Sequence, residues 1–287
     1  MRRRTRKMLP NIIAACLVLT VFISGFGTLI VSSFGVAVAD EFGCFDTASQ
    51  YQTVIVVDAS APRWNREQGR SLRTYMDRLY EHLRFNERLS VFTTEGDQIA
   101  SVVSARFTVC GQATHPDQLA QIGAGQAQAG YLERQTQRLY DDLLTPELNA
   151  LLTLTPDESR LQLNESPVLE TIRSVSRATL LQPGDRMVVI SDMVQNSESA
   201  RFCKVRGDMP SFDVFKNRLV YQDRLIPESL DGVRVEALML MRGGYGQFGP
   251  YCPGGEEEVR GFWRGYFSQN GASEVQFTRI RLGSGDQ

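Results

Sequence analysis

Two acidic residues stand at the ends of short apolar runs, each with a serine within two positions. Asp58 follows the β-branched run 53–57 and opens the segment Asp58-Ala59-Ser60-Ala61-Pro62. Asp192 follows the run 187–190 with Ser191 beside it, and Ser166 opens a third segment just ahead of Pro167. Two carboxylates and two hydroxyls are hard oxygen donors. They suit an octahedral Mg²⁺ or similar divalent cation that keeps waters or accepts a partner's carboxylate. An aspartate at the tip of a buried strand also suits a nucleophile of phosphoryl transfer. Such a phosphatase site wants a second acid two residues on, where this chain has Ser60. Gly243-Gly244-Tyr245-Gly246 lacks the Lys-Ser/Thr of a phosphate-binding loop, and no G-x-S-x-G or dinucleotide fingerprint occurs. The only histidines, His82 and His115, are isolated and there is no C-x-x-C, which argues against zinc. The same residues also have plain structural roles. Asp58 and Ser60 could cap the first helix, Asp192 the next turn, and Ser166 with Pro167 the start of a helix.

The elements that must position these groups alternate. The runs 53–57, 187–190, 233–241 and 274–280 read as strands, the first as one buried on both faces. Residues 88–93 and 102–109 read as a hairpin with its turn near Glu95-Gly96-Asp97. Helical spacing covers 65–84, 131–144 with an extension toward 152, 167–181, 212–221 and 256–270, while 113–128 reads as a loop. Strands alternating with helices predict an α/β fold, a doubly wound and mainly parallel sheet with helices on both faces. Ligands of such sheets bind at the carboxyl ends of the strands, where the winding reverses. Asp58 and Asp192 are placed there by this reading.

Together these features resemble a von Willebrand factor A (vWA) domain over about 52–280. The resemblance implies a metal-ion-dependent adhesion site: D-x-S-x-S after the first strand, a Thr in a later loop and an Asp after the fourth strand. By that match Asp58 and Ser60 supply the first ligands, Ser166 stands for the loop Thr, and Asp192 for the final Asp. Pro62 departs from the pattern where the second Ser belongs.

The rest of the chain says where such a domain works. No charged residue occurs from Met8 to Ala39, and 12–31 alone is long enough to cross a bilayer as a helix. Five of the 31 basic residues lie in the first seven positions, a flank that stays cytoplasmic and sends the body outside. Ala37-Val38-Ala39 also forms a signal-peptidase pattern, so cleavage at Ala39 is the alternative to a retained anchor. The division that follows is 1–10 basic flank, 11–36 transmembrane anchor or uncleaved signal, 37–51 linker, 52–282 vWA-like domain and 283–287 tail. The remainder carries 26 basic against 33 acidic residues and no basic run, which argues against nucleic acid as the main partner.

Four cysteines, Cys44, Cys110, Cys203 and Cys252, fall in the exported body and suit two disulfides. In the expected sheet Cys44 and Cys110 share the edge away from the site, and Cys203 and Cys252 share the site edge. The pairing expected is therefore Cys44–Cys110 and Cys203–Cys252. Arg63 and Trp64 beside Asp58 suit either a partner contact or core packing. The function expected is a non-enzymatic envelope protein that binds a protein partner through the loops bearing Asp58, Ser60, Ser166 and Asp192. The alternatives are a divalent-metal hydrolase using Asp58 and a structural protein with a vestigial site.

Overall fold

The structure, a computed structural model, describes residues 39–46, 50–59, 64–94, 104–120, 122, 128–152, 165–203, 209–228, 230–241 and 255–281. Six strands form one sheet: β1 Gln52–Val57, β2 Arg88–Thr93, β3 Phe107–Cys110, β4 Arg186–Ser191, β5 Arg234–Leu240 and β6 Glu274–Ile280. Their order is β3-β2-β1-β4-β5-β6, all parallel except β3. The chain builds outward from β1 in one direction, then returns to β4 on its other side and builds outward again. The winding therefore reverses between β1 and β4.

The inner strands are apolar at successive positions because both faces are covered. Val54, Val56, Met187, Val189, Ala237 and Met239 face one layer; Ile55, Val57, Val188, Ile190 and Leu238 face the other. The first layer holds α5 (Val168–Thr179), the short turns α6 (Phe212–Phe215) and α7 (Leu219–Arg224), and α8 (Gly255–Gln269). The second holds α1 (Arg66–Glu81), with α3 (Ala129–Leu139) and α4 (Thr145–Leu152) joined by a π-helical turn at Tyr140–Leu144. This six-stranded, mostly parallel α/β sheet fits the vWA-like fold that the sequence resembles.

Local chemistry explains the boundaries. Asn65 and Gln68 form a reciprocal capping box at the start of α1, so neither Asp58 nor Ser60 is its cap. The Gln68 amide also donates to the carbonyls of Met241 and Ile280, tying the helix start to the ends of β5 and β6. The expected loop at 113–128 contains a short helix, α2 (Pro116–Ala120), where Pro116 fits the first helical position and the Gln118 side chain accepts from the N–H groups of Thr114 and His115. The expected helix 212–221 is broken in two, because Arg218 adopts an extended backbone (φ −77°, ψ 140°). The antiparallel partner of β2 begins at Phe107 among the described residues, and the turn at Glu95–Asp97 lies outside them. The anchor or uncleaved signal expected at 11–36 also lies outside them; among the described residues no helix is long and apolar enough to cross a membrane.

The strand starts share one anchor. Buried Asp185 accepts from the N–H groups of Gln52 and Gln182 at 2.9 and 2.8 Å, and its carbonyl accepts from Arg234. Burial pushes this carboxyl above its usual range, against the two N–H donors that favour its charge. A raised carboxyl supports the fold fully below its unfolded value of 3.8 and loses that support as pH climbs through the folded value. Asp185→Ala would strand two N–H donors and is expected to lower stability by about 2 kcal/mol, read by urea denaturation.

The Cys44–Cys110 disulfide is present, with Cα atoms 5.0 Å apart, and it pins residues 39–46 beside β3. Cys203 is also disulfide-bonded; Cys252, its expected partner, lies outside the described residues.

Candidate functional site

Asp58 sits one residue beyond β1, at the point where the sheet reverses. Its N–H donates to the Ile190 carbonyl at 2.8 Å, continuing the β1–β4 ladder, while Thr94 N–H donates to Val57 and continues the β1–β2 ladder. The carboxylate is therefore held at the shared carboxyl edge of three adjacent strands. It is 3% exposed and satisfied by hydroxyls. The Ser166 and Ser191 hydroxyls each donate to Oδ2 at 2.7 Å, and the Thr94 hydroxyl donates to Oδ1 at 3.1 Å.

Each donor is fixed from behind. Thr94 Oγ1 accepts from Ala59 N–H at 3.0 Å, and Ser191 Oγ accepts from Met193 N–H at 2.8 Å. Ser166 pairs with Asn196 through both backbone groups, at 2.6 and 3.0 Å. Ser166 is not the helix cap that its place before Pro167 suggests. The capping position of α5 is Pro167, with no side-chain bond, and the Ser166 hydroxyl is committed to Asp58. The orphan N–H of Leu169 is met instead by the Gln195 side chain, at 2.9 Å, from the loop after β4.

That loop is the second structural device of the site. Met193 takes a left-handed backbone (φ 63°), and its carbonyl accepts from Trp263 Nε1 of α8 at 2.7 Å. Buried Glu170 of α5 accepts from Gln195 and Ser197, at 2.8 and 2.5 Å. Asp192 is half-buried and accepts from Val194 N–H at 2.9 Å, the local turn that aspartate forms readily. The structure thus brings Asp58, Ser166 and Ser191 into direct contact and places Asp192 next in the chain. Ser60, Pro62 and Arg63 lie outside the described residues. Trp64 packs against the core, and its indole N–H reaches the Leu152 carbonyl at 3.3 Å, which is the packing alternative. His82 bonds the Arg78 carbonyl at the end of α1 and His115 is exposed.

Sequence reading missed Thr94. Its signal was a hydroxyl one residue past the end of β2, which must flank β1 if the order is 3-2-1-4. Trp263 and Gln195 left no local signal, because their roles depend on long-range packing.

Among the described residues, no group of three or more His, Cys, Asp or Glu converges on a point that could hold a metal. The donor set is hydroxyl-rich. A hydroxyl that gives its proton to Asp58 keeps oxygen lone pairs that can face a cation. Ser166 has such capacity in reserve, whereas one lone pair of Ser191 already accepts from Met193. Hard oxygens of this kind fit Mg²⁺ or Mn²⁺ and suit neither zinc nor copper.

No family model matches the chain, and no curated protein matches it. Among solved structures it is similar to the crystal structure of the ArnB paralog VWA2 from Sulfolobus acidocaldarius. The identity is 11% and the TM-score 0.33, over 70% of this chain and 37% of that one. The chain therefore matches little more than a third of the length of that structure.

Proposed function

We propose that the body is a non-enzymatic, vWA-like binding module. It would engage a protein partner at the carboxyl edge of the sheet, with a divalent cation held by Asp58, Ser60, Ser166 and Asp192. The observation that carries this reading is the pair of 2.7 Å bonds by which Ser166 and Ser191 converge on one oxygen of buried Asp58. Three chain segments far apart in sequence, at 58, 166 and 191, meet at the topological reversal, where ligands of doubly wound sheets bind. A capping or turn role for Asp58 would not need hydroxyls from two other segments.

When bound, the cation would supply a positive centre able to accept a carboxylate from the partner. The residues of this chain supply the rest. Asp58 orients the hydroxyls, and the loop 192–203 fixes the height of Ser191 and Asp192. In the cell the module is proposed to stand outside a membrane on a single helix within 11–36, with cleavage at Ala39 as the alternative form.

Thermal stability with and without Mg²⁺ tests the cation. Asp58→Ala and Asp192→Ala are expected to abolish the metal-dependent rise in Tm that the wild type shows, since a ligand of the native state stabilises by mass action. Pro62→Ser is expected to enlarge that rise, by restoring an oxygen donor. Equal melting of the wild type with metal and with chelator would contradict the proposal.

A further inference from the structure

The edge of the sheet opposite Asp58 carries three large apolar side chains that remain exposed. Leu180 is 69% exposed, Tyr51 44% and Ile226 37%. They belong to one surface. Gln52, next to Tyr51, donates through its side chain to the Thr179 carbonyl at 3.0 Å, and Gly184 lies under the Tyr51 ring. Glu228 N–H reaches Ser176 Oγ at 3.1 Å, which brings the segment at Ile226 beside the end of α5.

Leu180 is the informative residue. It ends α5 in the left-handed conformation (φ 48°, ψ 56°), where glycine or asparagine is cheaper. A leucine there carries a conformational cost and an exposed apolar side chain together. Neither serves the core.

We propose that this edge rests on a lipid bilayer, with Leu180 and Tyr51 in its interface and the Asp58 site turned away from it. The proposal rests on reading 12–31 as a membrane anchor. The chain arrives at this edge: Ala39 bridges Phe45, Phe45 N–H donates to Asn86 Oδ1 at 2.7 Å, and Cys44 is bonded to Cys110. At most seven residues, 32–38, separate Ala39 from a span that needs no more than 12–31. Fully extended they span about 25 Å, so the body cannot stand far from the surface. The disulfide and the Phe45–Asn86 bonds prevent residues 39–46 from swinging round to the other edge. Tyr51, with the Arg84 guanidinium 4.2 Å over its ring, presents the apolar body and polar rim favoured at membrane interfaces. Strands of six or seven residues then lift Asp58 about 20 Å further from the lipid.

The test uses the full chain in vesicles of phosphatidylcholine and phosphatidylglycerol, the former brominated in its upper acyl chain. Leu180→Trp places a fluorophore at the proposed contact, and Glu198→Trp places one in the exposed loop beside the site. After subtraction of the wild-type signal from Trp64 and Trp263, emission from position 180 should be blue-shifted relative to that from position 198 and quenched relative to unbrominated vesicles, while that from position 198 should not be quenched. Equal quenching at both, or none at 180, in protein that resists a high-pH wash would overturn this inference and leave the anchor intact. Release of a soluble species beginning at Asp40 would overturn both. Concentration-dependent burial of position 180 in detergent alone would assign the surface to a second copy and overturn the lipid contact.

Discussion

Trp263→Ala is expected to lower the stability of the domain by about 4 kcal/mol, the range for truncating a fully buried tryptophan. The residue has no exposed surface and packs among Phe262, Tyr266 and Phe267, with ring centroids 5.5–5.7 Å away. Its indole N–H also holds the Met193 carbonyl at 2.7 Å, so the substitution removes packing and a buried hydrogen bond together. Trp263→Phe separates the two. It retains most of the apolar volume but leaves that carbonyl without its donor, for a cost of about 1–3 kcal/mol. Both losses are read from urea denaturation. Because Met193 N–H donates to Ser191 Oγ, both variants should also weaken metal-dependent stabilisation at the Asp58 site. A loss under 1 kcal/mol for Trp263→Ala would mean that α8 does not hold the loop.

The second large effect belongs to the Cys44–Cys110 disulfide. Replacing both cysteines by alanine is expected to cost about 4 kcal/mol, from the chain entropy released by opening a loop with a separation of 66 residues. Beyond stability, the double variant frees residues 39–46 from the edge of β3. If the disulfide fixes how the body stands on the membrane, the variant should bind Mg²⁺ unchanged at low temperature while losing the lipid quenching at position 180. Non-reducing peptide mapping checks the premise directly, since a Cys44–Cys203 linkage would contradict the sheet order itself.

Much of this was legible in the residues. The strands at 53–57 and 187–190 announce themselves because a strand buried on both faces must be apolar at every position. The alternation with helices then places Asp58 and Asp192 at one edge, and the Cys44–Cys110 pairing follows from the reversed β3. Ser166 was legible as a site residue, but its second reading as a helix cap fails, since Ser before Pro is the ordinary signature of a helix start and its hydroxyl here serves Asp58. The helix at Pro116–Ala120 was hidden in a stretch rich in Gly, Ala and Gln. The break at Arg218 was hidden because the apolar spacing of Phe212, Phe215, Leu219 and Tyr221 continues across it. Thr94 and Trp263 act through partners 36 and 70 residues away, which spacing within a window cannot reveal.

Whether the Asp58 cluster holds a cation can be read from the paramagnetic resonance of Mn²⁺. Free Mn²⁺ gives a sharp six-line signal that is lost on binding, so titration of residues 40–287 counts sites without any partner. One saturable site is expected, absent in Asp58→Ala and weakened in Ser166→Ala, with both variants folded by circular dichroism. Full retention of the free signal in the wild type, or equal loss in wild type and Asp58→Ala, would contradict it.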